Sequence, residues 1–322
     1  MLSYVVRRLM ISVLLLLAAS VMAFLILKAA PSDYFALLKA DPRIPQEYVD
    51  QQRQIYGLDK PVYVQYGLWL RRAVVGDFGF SFAYKQPVSA IIGTRVLNTL
   101  ILNLVAVTVT WMVAIPIGIY AAVRQYSLGD KLLSGVSFIG MSLPGFFSAL
   151  ILLYIFASVL NVLPPGGMYS IDFPRMTAGE KVLDVARHLV IPVIVLVLAA
   201  MASLQRITRG NMLEVLGQQY IRTARAKGLS ERQVVYKHAL RNALNPLITI
   251  FGYEFGDLLS GAALLEIIID YPGLGSLMYT AVRNQDQFLV MGGFMMGAVM
   301  LLVGNLLAEL LLAWVDPRIS YQ

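Results

Sequence analysis

Charged side chains are absent from several long stretches of this chain and gather in the short segments between them. A helix needs about 20 apolar residues to cross a hydrocarbon core of roughly 30 Å. Six runs approach or exceed that length: residues 9–27, 96–123, 132–171, about 189–205, about 244–269 and 288 to about 313. In the third run, Pro164-Pro165-Gly166-Gly167 predicts a helix end near Leu163. Pro116, Pro144 and Pro192 fall inside predicted spans, where neighbouring helices can satisfy the carbonyls that proline frees. The first run exceeds the roughly 7–15 residues of a signal-peptide core, and no clear small-x-small cleavage site precedes Pro31, so it reads as a retained anchor.

Composition agrees with the bilayer as solvent: 58% of residues are hydrophobic, 14% are charged, and the mean hydropathy is +0.69. The absence of cysteine excludes a disulfide framework, a thiolate metal site and a cysteine nucleophile. A net charge of +7 raises the question of nucleic acid, but in a membrane protein it first asks where the cations fall. With the N-terminus inside, the inner flanks hold Arg7, Arg8, Arg124, Lys131, eight Lys/Arg from Arg206 to Arg241, and Arg318. The short outer loops hold only Arg175, Lys181, Arg187 and Arg283, a bias of thirteen to four that places both termini in the cytoplasm. Residues 28–95 then form an outer segment with nine basic and six acidic positions and turn signals at Pro31, Pro42, Pro45, Gly57 and Pro61. The predicted organisation is an N-terminal segment with the first helix (1–30), an extracytoplasmic lobe (31–95), a core of helices two to six with a cytoplasmic loop at about 206–243 (96–313), and a cytoplasmic tail (314–322).

The loop between spans four and five is the most polar part of the core. From Met212 to Lys227, good helix formers carry apolar residues at 212, 216, 220 and 224, a helical period, and Gly228 suits a C-terminal cap. Ser230-Glu231-Arg232-Gln233 is a capping box that starts a second helix, which must stop before Pro246. Ala224, Ala226, Ala239 and Ala243 allow another surface to approach closely. Three readings compete: a solvated loop near anionic headgroups, a helix-turn-helix DNA reader, and a docking element for a protein partner. Tethering to spans at both ends keeps a recognition helix out of a major groove and sets nucleic acid aside.

No Gly-x-x-x-x-Gly-Lys-Ser/Thr occurs, so the chain lacks a lysine-bearing phosphate cradle of its own. His188 and His238, the only histidines, lie on opposite sides of the membrane in this topology and read as ordinary interfacial residues. Glu254 and Asp257 are three residues apart, hence on one face of span five. Carboxylates at that depth are costly and usually face a polar interior. They line a translocation path, bond other helices, or form the relay of an ion-coupled carrier; no second copy of the spans supports the carrier. Glu266 and Glu309 lie nearer the span ends, where interfacial hydration is the simpler account. The Pro and Gly of Asp270-Tyr271-Pro272-Gly273-Leu274-Gly275 predict a sharp turn leading into a short helix, and Gly293 with Gly297 predicts close helix packing in span six.

Beyond these local readings, RTARAKGLS and HALRNALNP in the loop resemble the cytoplasmic loop of binding-protein-dependent ABC transporter permeases of the dipeptide, oligopeptide and nickel group, B-type subunit. The resemblance covers essentially the whole chain and includes RRL before the first span, GDFGFSF (76–82), RITRGNMLEVL (206–216), YPGLGSL (271–277) and DPRI (316–319). The wider family has a Glu-Ala-Ala then Gly signature in this loop. Here Arg222 and Thr223 stand for its first two positions, Ala224 matches the third, and His238 and Arg241 replace an Ile and a Pro, departures that look typical of the peptide and nickel branch.

The resemblance implies an all-α integral membrane protein with six transmembrane helices, the type I ABC importer permease fold, and a small extracytoplasmic lobe between helices 1 and 2. It implies a non-catalytic, multi-pass subunit of the bacterial inner membrane that imports di- or oligopeptides or similar small solutes and holds no cofactor itself. ATP and Mg would be bound by two partner ATP-binding subunits. A second homologous permease, completing a heterodimer, an extracytoplasmic substrate-binding protein and membrane lipid complete the implied partners. ATPase coupling is implied for Arg222, Thr223, Ala224, Arg225, Ala226, Lys227, Gly228, Leu229 and His238. The path or its outer gate is implied for Glu254, Asp257, Glu266, Pro272, Gly273 and Gly275.

Overall fold

The computed structural model describes residues 2–29, 34–39, 43–244, 246–247, 250 and 263–315. Helix α1 (Leu2–Ala29) carries the first apolar run. A small body of short helices follows, α2 (Tyr34–Lys39), α3 (Gln46–Ile55) and α4 (Val62–Ala73), with an antiparallel hairpin of β1 (Phe80–Ser81) and β2 (Gln86–Pro87). Phe35, Val49, Leu58 and Phe82 form its core, with the Phe35 and Phe82 rings edge to face at 4.7 Å.

Helix α5 (Val88–Val123) starts directly after Pro87, eight residues ahead of the uncharged run, so Arg95 rides on the helix. Charge-free length marks the part that crosses hydrocarbon, whereas the helix continues until something stops it. The same holds for α8 (Ala178–Leu216), which overruns the 189–205 expectation at both ends and begins at a capping box of Thr177 and Glu180. Pro116 and Pro192 lie within α5 and α8. Pro144 behaves differently. Helix α6 (Leu128–Ser142) stops, Leu143 turns extended (φ −86°, ψ 132°), and α7 (Gly145–Leu152), prolonged by a π-helical turn over Leu153–Val159, leaves at a 105° bend. Leu143 takes the extended conformation favoured before proline, unlike the residues before Pro116 and Pro192, so one straight third span does not form.

The loop holds α9 (Gln219–Ala226), then α10 (Glu231–Gln233), a π-helical turn (Val234–Ala239) and α11 (Leu240–Ala243). The remaining helices are α12 (Ala263–Ile268), α13 (Leu274–Arg283) and α14 (Gln287–Val315). Among the described residues α1, α5, α8 and α14 are long and apolar enough to cross a membrane, and the bent α6–α7 pair counts as a fifth span if taken as one. Most of the fifth predicted run lies outside the described residues.

The core is built on the α5–α8 pair. A Cβ at Gly118 would stand 2.6 Å from Thr208 Cβ and 2.9 Å from the Gln205 carbonyl oxygen, so the helices touch there only because the side chain is absent. Gly118→Ala is therefore expected to cost about 1–3 kcal/mol and to lower the melting temperature of the detergent-purified protein; an unchanged melt would show that the crossing is loose. Polar contacts tie α6 to α8. Gln205 accepts from Ser137 and donates to Ser134 (3.1 Å), while Arg209 pairs with buried Asp130 at 3.2 Å. His188 is buried, with Nδ1 2.8 Å from the Asp184 carbonyl oxygen. Glu309, expected to be hydrated, meets Tyr4 at 2.6 Å and pairs with Arg8.

Candidate functional site

Two clusters of predicted residues lie at opposite ends of α5. At its C-terminal end, Ile119 and Ala122 pack with Met212, Ile221, Ala224, Val234, Val235, Ala239 and Ala243 in one apolar cluster. This cluster seats the loop. The continuous helix expected from Met212 to Lys227 is interrupted: α8 ends at Leu216, and Gln218 is extended (φ −70°, ψ 151°) before α9 begins. The interruption resets the helical phase, so Ile221 and Ala224 turn inward while Tyr220 is exposed and its hydroxyl accepts from Asn242 at 2.9 Å.

The turn after α9 is a Schellman motif. The Leu229 amide donates to the Ala224 carbonyl (3.4 Å) and the Gly228 amide to the Arg225 carbonyl (2.9 Å), with Gly228 at φ +79°. Nothing lies within 4 Å of a Cβ built on Gly228, so backbone conformation rather than space calls for glycine. Ser230 and Gln233 then form the expected capping box. Arg225 spans the turn to Glu231 with two bonds, 2.7 and 3.3 Å; both side chains are exposed, which limits the pair to under about 1 kcal/mol. Arg222, Thr223, Arg225, Ala226, Lys227 and Gly228 face solvent, Leu229 and His238 are half-buried, and Ala224 is buried. Ala224 therefore supports the loop from within.

At the other end of α5, the expected turn before α13 is held by an unusual cap. Gly273, the residue preceding α13, has no side chain to offer the first amides of that helix. Thr99 Oγ1 accepts from Leu274 N (2.8 Å) and donates to Glu266 Oε1 (3.0 Å), while Glu266 Oε2 accepts from Ser276 N (2.9 Å). The cap of α13 thus comes from α5 and α12. Glu266 is completely buried, which replaces the expectation of interfacial hydration. Asn98 donates to the Pro272 carbonyl (2.8 Å) and Tyr271 donates to the Asn98 carbonyl (2.8 Å), so α5 grips the turn from both sides. A Cβ on Gly273 would fall inside the Glu266 carboxylate, and one on Gly275 would stand 2.7 Å from Ala263 Cα. Glu254 and Asp257 lie outside the described residues.

Sequence reasoning missed Asp286. This fully buried carboxylate accepts from Ser81 Oγ (2.7 Å) and the Ala83 amide (3.0 Å), and its other oxygen caps α14 at Leu289 N (3.2 Å). It ties the β-hairpin to the α13–α14 junction. The partner serine stands 205 positions away, and the signal in sequence was limited to an acid three residues ahead of Leu289 at a helix start. In span six, Gly293 packs against Met278, whereas Gly297 opens onto an apolar groove with Phe294, Leu301 and Ile267. Among the described residues no group of three or more His, Asp or Glu side chains is placed to hold a metal ion.

Residues 114–321 match the family model described as binding-protein-dependent transport system inner membrane component, and residues 1–104 match the N-terminal model of such membrane components. The chain belongs to this family. The permease is similar to the oligopeptide transport system permease protein AppB of Bacillus subtilis (strain 168), 43% identical over 322 residues and covering 100% of both chains. It is also similar to the dipeptide transport system permease proteins DppB of Escherichia coli K12 (34%) and of Alkalihalophilus pseudofirmus (33%), again over 100% of both chains. A solved MetNI methionine ABC transporter matches with a TM-score of 0.49 at 16% identity, over 69% of this chain and 96% of that one. Membership makes the permease a non-catalytic, membrane-spanning subunit of a binding-protein-dependent importer with the type I ABC importer permease fold. It also sets aside the ion-coupled carrier.

Proposed function

We propose that the permease imports di- or oligopeptides, with α9 and its Schellman turn as the input from an ATPase and the α12–α13 turn as the gate at the far side. The observation that carries this reading is the position of α5: it packs against the loop cluster at Ile119 and Ala122 and holds the gate turn with Asn98 and Thr99. The peptide assignment rests on the full-length relatives named as oligopeptide and dipeptide permeases. In this reading both termini and the 206–243 loop are cytoplasmic, residues 31–95 form an extracytoplasmic lobe that receives the substrate-binding protein, and residues 96–313 form the core. A second, homologous permease meets the apolar groove at Gly297, and two ATP-binding subunits bind ATP and Mg.

Exposed loop residues are the ones a partner can grip. Ala226→Glu adds bulk and charge on that face without backbone strain, and is expected to reduce co-purifying ATPase about tenfold, a loss of about 1.4 kcal/mol, while the melting temperature holds. Gly228→Ala, which perturbs only the left-handed turn, should cost about 1 kcal/mol locally and weaken retention less. Undiminished ATPase retention and uptake in Ala226→Glu would remove α9 from the docking role. Uptake that survives ATP depletion would remove the importer reading itself.

A further inference from the structure

At the lobe-side end of α1 and α14, beneath α3 and α4, lies a cavity of about 190 Å³. Its lining divides by chemistry. Phe24, Leu27, Leu68 and Met291 supply an apolar wall, while Lys28, Lys60 and Arg72 supply three cations, with no carboxylate in the lining. Lys28 donates to Gln287 Oε1 at 3.1 Å and lies over the Phe24 ring at 5.7 Å. The Lys60 side chain folds back over Gly57. Two residues of the lining each carry a buried polar atom without a hydrogen-bond partner: Nε1 of Trp69, a residue only 4% exposed, and Oε1 of Gln65, whose Nε2 is already bonded to the Leu58 and Lys60 carbonyls. An unused donor and an unused acceptor beside three cations describe a ligand with an anionic oxygen and a hydroxyl.

Depth identifies where such a ligand comes from. Tyr66 on α4 meets Ser20 Oγ at 2.8 Å, and Ser20 lies inside the first apolar run. Ser20 is eight residues from Lys28, about 12 Å along the helix axis. Helix α4 is thus seated alongside α1 in the bilayer interface, and Tyr63, Tyr66 and Trp69 provide the aromatic residues that favour this level. Ile55, Tyr63, Val74 and Val75 are 71–80% exposed, as a membrane seat requires and an aqueous surface disfavours.

We propose that this cavity binds the head group of a phospholipid of the lobe-side leaflet, an anionic phosphodiester bearing a free hydroxyl, as in phosphatidylglycerol. The phosphate sits among Lys28, Lys60 and Arg72 and accepts from Trp69 Nε1; the head-group hydroxyl donates to Gln65 Oε1; the acyl chains run down the apolar wall beside α1.

Native mass spectrometry of the delipidated, detergent-purified transporter complex, supplied with phosphatidylglycerol or phosphatidylcholine of matched chains, tests this assignment. One retained phosphatidylglycerol per copy of this chain is expected, with phosphatidylcholine retained at least about tenfold less. Lys60→Gln with Arg72→Gln should reduce retention about tenfold, and Trp69→Phe about fivefold. Arg71→Gln, the same charge change on the adjacent residue outside the cavity, should leave retention unchanged. Equal retention of the two lipids, or equal effects of Arg71→Gln and Arg72→Gln, overturns the site in favour of general surface charge. Displacement of the lipid by millimolar inorganic phosphate assigns the cavity to free phosphate, and displacement by a tripeptide assigns it to a peptide carboxylate; either result overturns the lipid.

Discussion

Replacing Glu266 by alanine is expected to abolish uptake by the assembled transporter and to lower the stability of the permease by about 3 kcal/mol or more. The side chain is completely buried, and its removal leaves the Ser276 amide and the Thr99 hydroxyl without an acceptor. Each buried donor left unpaired costs about 1–3 kcal/mol. The damage falls on the start of α13, so the turn at Pro272 and Gly273 loses its fixed position. Glu266→Gln keeps one carbonyl oxygen but points an NH₂ at groups that donate, and should retain part of the stability and less of the uptake. Uptake assays and thermal melts on the two variants measure the difference. Full uptake in the alanine variant would detach the α13 cap from the gate.

Loss of Asp286 ranks second. Asp286→Ala strands the Ser81 hydroxyl and the amides of Ala83 and Leu289, and is expected to cost about 2–4 kcal/mol. Because those bonds join the hairpin to the α13–α14 junction, hydrogen exchange should rise around residues 80–87 and 285–290. Exchange in the loop cluster around Met212 and Val234 should stay as it was. A uniform rise across the chain would mean general destabilisation instead, and no rise would mean that the hairpin is held by its aromatic core alone.

The first, second, fourth and sixth spans were legible because charge in hydrocarbon is expensive, so a long apolar run reports depth directly. Helix ends were less so. Arg95 and Glu180 stand on helices that extend well past the apolar runs, and the Thr177-x-x-Glu180 box, a pattern of the same kind as Ser230-x-x-Gln233, marks the true start of α8. The inward stripe of α9 was misjudged by one residue, Tyr220 for Ile221, since a single extended residue at Gln218 resets the helical phase. The turn before α13 was visible in its Pro and Gly content, but the burial of Glu266 was not, because Thr99 reaches it from 167 residues away. Long-range polar pairs such as Asp286 with Ser81 leave no period to find. Packing decides them.

Thr99 and Ile119 stand twenty residues apart on α5, about 30 Å, which is the thickness of the hydrocarbon core itself. One end is gripped by the turn before α13, the other by the loop cluster, and between them Gly118 lets α5 bear directly on α8 near Thr208. In the coupling proposed above, α5 would act as a lever whose fulcrum, the close approach at Gly118, sits near the driven end. A tilt of about 5° about that point displaces the distant end by about 2.5 Å, enough to break a hydrogen bond. In that coupling, a displacement of about 0.5 Å at Ala122 then corresponds to one several times larger at the turn before α13.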